Sequence, residues 1–171
     1  PADAARLAKA PTDREKGYLR AVDILYGTGT KPARDTAYAT AMGELAAKYP
    51  KDAEAQLFYA LALIGLSQGD RDIPTYLRAG AIAETVFAHQ PDHPGAAHYT
   101  IHSYDDPAHA ATALGAARAY SRIAPDAPHA QHMTSHIFLA LGLWDDVVAA
   151  NVAATGENMP GHVLKPGCGH Y

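Results

Sequence analysis

The chain has 171 residues and only one cysteine, Cys168, so it holds no internal disulfide. A single thiol fits a reducing compartment but also fits the many exported proteins that lack disulfides. Long apolar runs are missing: residues 57–66 are apolar apart from a glycine, about half of the roughly 20 residues a membrane span needs. Basic clusters are missing as well. The net charge is -4 with lysines and arginines scattered, which excludes a nucleic-acid stripe. Phenylalanine and tryptophan are scarce, at three and one, whereas tyrosine reaches ten. No stretch alternates apolar and polar residues with the period of two that strands require. With 48 % apolar residues the chain is nonetheless able to bury a core, and one domain over 1–171 is the default expectation. It begins at Pro1 without an initiator methionine, which points to a fragment of a longer chain. The missing leader therefore carries no weight for a cytoplasmic location.

What is present is helical punctuation. Residues 2–9 look like the tail of a helix broken by Pro11. Thr12 and Glu15 have capping-box spacing, and a helix follows to about Tyr26. Thr30, with Pro32 in the first turn, starts a second helix ending near Tyr49. Asp52 caps a third over roughly 53–67, apolar nearly all round. Further helices are expected over 73–89, 94–104, from the break at Pro107 to about Ile123, over 128–141 and over 144–155, with a loop in 156–169.

Histidine is concentrated. Eight of the ten histidines fall between His89 and His136. His98 and His102 are spaced i, i+4, and so are His132 and His136, 34 residues later. Each pair therefore projects from one helix face, one turn apart. The flanks repeat at the same offset: Pro91, Asp92, His93 and Pro94 answer to Pro125, Asp126, Ala127 and Pro128. Such a period is the signature of helical-pair repeats.

The period, the prolines closing each second helix, and small residues such as Ala60 and Ala113 resemble the tetratricopeptide repeat (TPR). The match is good over 94–159 and looser before it. Ala97 and Gln131 stand at the position of the family's tryptophan, and Thr100 and Thr134 at that of its leucine. The wording around His93, 98–106 and 129–144 also resembles a group of histidine-rich bacterial TPR proteins, some of them exported. That leans toward an exported or periplasmic location over a cytoplasmic one. The resemblance implies an all-α fold: a right-handed solenoid of antiparallel helix pairs, about eight helices. The repeats are about 12–50, 53–90, 94–125 and 128–159, with 160–171 a tail or the start of a truncated repeat.

In such repeats the first helix of each pair lines a concave groove through its second, fifth and ninth positions. His98 and His102 then take the fifth and ninth places of one repeat. His129, His132 and His136 take the second, fifth and ninth of the next. Leu57 and Leu61 hold the fifth and ninth places of the repeat before them. Packed helices lie about 8–10 Å apart, and a zinc–imidazole bond is about 2.0–2.1 Å. Four histidines on neighbouring helices can therefore converge on one ion. The expected metal set is His98, His102, His132 and His136, with His129 or His93 as a fifth ligand. Asp105 and Asp106 are candidate acceptors for imidazole N–H groups. Cys168 and His170 are candidate extensions, since His170 lies 34 residues after His136. Tyr99, Tyr104 and Tyr120 are expected beside the cluster, lining the groove or packing helices. Imidazole ligands suit copper or zinc first, then nickel or iron, and argue against magnesium or calcium.

The competing reading is a peptide or protein held in the groove, the histidines serving as polar contacts or hydrogen-bonded core residues. Familiar catalytic patterns are absent. Tyr99 and Met133 stand where a zinc protease needs glutamate. Ser103 and Ser135 lack a nucleophile elbow, and 27–30 lacks the lysine of a phosphate loop. Three histidines with an open position would permit metal catalysis, whereas four closing a tetrahedron would sequester the ion or serve structure. The sequence leaves both open.

Overall fold

The first three helices each start where a side chain satisfies orphan N–H groups. The structure is a computed structural model and describes residue 9, residues 12–67 and residues 69–155. Thr12 forms a full capping box with Glu15, opening α1 (Asp13–Leu25). The Thr30 side chain accepts from the Ala33 N–H at the start of α2 (Lys31–Lys48). Asp52 does the same for Ala55 at α3 (Ala53–Ile64). Five helices follow: α4 (Ile73–His89), α5 (Pro94–Ser103), α6 (Ala110–Ile123), α7 (Pro128–Ala140) and α8 (Trp144–Thr155). No strand occurs among the described residues. The boundaries follow the expected ones closely. α3 stops at Ile64, short of the expected 67, with Gly65 as its C-cap. Gly142 makes the tight turn between α7 and α8 with a left-handed φ of 70°. Of the helix tail expected over 2–9, residue 9 is described and helical. The loop expected over 156–169, with Cys168 and His170, lies outside the described residues.

Two compact units are distinguished, 1–86 and 87–171. In the first, α1 packs on α2 and α2 on α3. Met42, Leu45 and Ala46 of α2 meet Ala21 of α1 and Ala55 and Ala62 of α3, with Tyr18, Tyr38, Tyr49 and Tyr59 around them. A methyl added at Gly17 would meet the end of the Leu45 side chain, which would have to shift. The α3 cap is tied down by Arg14, which donates from Nε and Nη2 to the two Asp52 oxygens. This fork holds the Asp52 carboxyl below its ordinary range.

In the second unit α5 packs on α6, α6 on α7, α7 on α8, and α5 directly on α7. Alanines make this possible: Ala96, Ala97, Ala110, Ala113, Ala117 and Ala130 are all essentially buried. Thr100 and Thr134, one repeat apart, are buried too. Each returns its hydroxyl proton to a carbonyl of its own helix, Ala96 and Gln131 respectively, at 2.8 Å. The threonines thus occupy a core position without an unmet hydrogen bond.

Candidate metal centre

The direct packing of α5 on α7 sets the site. On α5, His98 and His102 lie one turn apart, ring centroids 4.7 Å from each other and the rings tilted by 42°. His98 is held between Tyr99 at 5.6 Å and Tyr120 at 5.3 Å, both near-parallel to its ring. From the first turn of α7, His129 reaches across, and its Nε2 lies 3.2 Å from the Nε2 of His98. One ring nitrogen from each of His98, His102 and His129 lies within 4.8 Å of the other two. His98 and His102 are half-buried and His129 is exposed, so the group is open on one side.

Burial pushes the basicity of His98 down to about 4, and the neighbouring His102, His129 and His136 push it the same way. At neutral pH His98 is therefore an uncharged imidazole with a lone pair available. Tyr120, buried against it, is shifted upward by that burial and keeps its phenolic proton.

The remaining histidines form a different grouping. His132 and His136 face each other one turn apart on α7, Nε2 to Nε2, at 3.3 Å. His136 Nδ1 lies 2.8 Å from Asp105 Oδ2, just past the end of α5. This bond raises the basicity of His136 against the opposing effect of burial. His132 Nδ1 lies 2.8 Å from Asn151 Oδ1 on α8. No set of three within 4.8 Å includes His132 or His136 among the described residues. The expected four therefore divide into two groups, with His129 joining the first.

The other candidates have their own places. His93 is the N-cap of α5, its Nδ1 accepting from Ala96 N–H at 3.4 Å. Asp105 Oδ2 faces the Nδ1 of His136. Asp106 Oδ1 faces the Nδ1 of His109 and also receives the N–H groups of Ala108 and His109 at the start of α6. Tyr104 is the C-cap of α5 and is buried at 6 % exposure, so it packs helices. Asn151 carried no signal in the sequence, because nothing in α8 repeats the histidine pattern.

No protein-family model matches the chain, and no curated protein matches it. A solved structure titled "MamA MSR-1 C2", a protein of TPR fold, aligns with 90 % of this chain and 87 % of its own at a TM-score of 0.62. The chain has a TPR-like fold. Sequence identity is 11 %, so the likeness concerns the fold alone. In the TPR-like register, Gln131 takes the fourth place of its repeat and Gln56 takes the fourth place of an earlier one. Both donate to the carbonyl ten residues back, Ser121 and Ala46, at 2.9 Å. The same register puts His98 and His132 in equivalent places, yet the packing of α5 on α7 sends them to different partners.

Proposed function

We propose that this TPR-like chain binds a transition-metal ion, copper or zinc, through His98, His102 and His129. The observation that carries the reading is the convergence of three imidazole nitrogens within 4.8 Å on two packed helices. The 3.2 Å spacing of the His98 and His129 nitrogens supports it. Two bonds of about 2.0–2.1 Å at a tetrahedral angle span about 3.3 Å. Closing on the ion requires the third imidazole to swing inward. Neutral nitrogen donors favour copper or zinc, with nickel or iron next, over magnesium or calcium. Three protein ligands leave a fourth position for water or an exogenous donor. Such a site can exchange the ion, or lower the pKa of a bound water.

A second reading rests on the fold: TPR-like helices also present a surface to protein or peptide partners. His129, exposed at the edge of the triad, would then be a polar contact.

Elemental analysis of the untagged chain, before and after zinc or copper addition and desalting, separates the two. Stoichiometric metal that disappears in His98→Ala/His129→Ala, with the helical circular dichroism kept, supports the metal reading. No metal in the unmodified chain under any of these conditions overturns it.

A further inference from the structure

The pair on α7 is built like a ligand set in its own right. Asn151 Nδ2 donates to the Val147 carbonyl at 2.9 Å, which fixes its amide so that Oδ1 faces His132. An amide oxygen and a carboxylate can only accept. His132 and His136 must therefore both carry their proton on Nδ1, donating to Asn151 and Asp105. In neutral rings that leaves two bare Nε2 lone pairs pointing at each other across 3.3 Å. Two acceptors at that distance need a cation between them, either a proton on one ring or a metal ion. The spacing equals the span of about 3.3 Å that two zinc–imidazole bonds make at a tetrahedral angle. The outer partners are those metal-bound histidines use: a carboxylate or carbonyl on the far nitrogen, setting tautomer and ring direction.

We propose that His132 and His136 form a second cation seat, distinct from the triad, gripping one divalent ion of the zinc class through both Nε2 atoms. α7 supplies both ligands, while Asp105 past α5 and Asn151 on α8 hold them. Water or an exogenous donor completes the shell, so this seat releases its ion more readily than one with three protein ligands. The inference rests on the tautomers and the spacing of this pair, and it stands whether or not the triad binds metal.

The test is a zinc titration of the whole chain, with zinc salt alone, read by native mass spectrometry and calorimetry. Unmodified chain should take two ions, and His98→Ala/His129→Ala and His132→Ala/His136→Ala should each take one. Four results overturn the second seat. The first is a pair variant that holds as many ions as unmodified chain. The second is a single ion lost in the triad variant alone, which leaves the triad reading intact. The third is a single ion lost in both variants, which indicates one shared centre. No ion at all sinks both readings. A single ion lost only in the pair variant supports this seat and overturns the triad. Nitrogen-15 spectra of unmodified chain give an answer that does not depend on variants folding. Both rings should show the Nδ1–H tautomer without metal, and zinc should move their Nε2 signals. An Nε2–H tautomer in either ring, or a proton alone filling the gap with no response to zinc, overturns the seat.

Discussion

Compare α3 in the first unit with α7 in the second. Each opens a helix pair, and each has a glutamine in its fourth place, fastened to a carbonyl ten residues back. They part at the fifth and ninth places. α3 has Leu57 and Leu61, with Leu57 at 1 % exposure, whereas α7 has His132 and His136, both half-buried. The scaffold positions are thus separable from the face they present. Alanines and the glutamine tie hold the helix pair, and the fifth place is free to be closed by leucine or opened to chemistry by histidine, while at the ninth Leu61 is half-buried like His136.

The comparison breaks hardest at the leucine. Leu57→Ala should cost about 3 kcal/mol, since it empties a fully buried site. His132→Ala, at a half-buried site, should cost less than about 1 kcal/mol without metal, and chemical denaturation measures both. Equal costs would mean that α7 uses its histidines as core. Asp105→Asn leaves the ring of His136 in place but takes away its carboxylate. Zinc affinity at the pair should fall by about 10-fold in calorimetry, within the range for outer partners of a metal ligand, and affinity at the triad should hold. Gln131→Ala and Gln56→Ala should each cost about 1 kcal/mol, the usual worth of a hydrogen bond. A large difference between them would show that the two repeat junctions are not equivalent.

The smallest effect is the pH dependence that the histidines of the second unit contribute. His98 is held at about 4 against an ordinary 6.5. Its folded form therefore binds fewer protons than the unfolded chain, and stability falls as pH drops from 6.5 through about 4. His136 is raised, so its contribution has the opposite sign. The Asp105 bond stabilises the chain fully below 6.5 and is lost as pH rises through the raised value. His98→Gln should flatten the acid limb of a stability–pH curve, and Asp105→Asn the limb above 6.5. The fifth and ninth places of α3 hold leucines, which do not titrate.

Much of the fold was legible because its signals are local. Thr12, Thr30 and Asp52 cap within three residues of themselves, prolines break helices wherever they stand, and the repeat shows as a period along the chain. The histidine pairs were legible for the same reason, since one helical turn sets their spacing. The membership of each group was not. His129 joins His98 because α5 and α7 meet at a particular rotation and height, and Asp105 and His136 are 31 residues apart. Asn151 has no repeat partner and no motif around it.

The sequence by itself determined helices, repeat register and the two i, i+4 histidine pairs, since each depends on backbone geometry within a few turns. No helix among the described residues is long and apolar enough to cross a membrane, a property equally local. Only the tertiary structure decided that five histidines divide into a triad and a pair, and that Tyr99 and Tyr120 wall in His98. It alone decided which oxygen sets each tautomer. Those outcomes depend on how side chains from different helices interlock, which no local signal along the chain encodes.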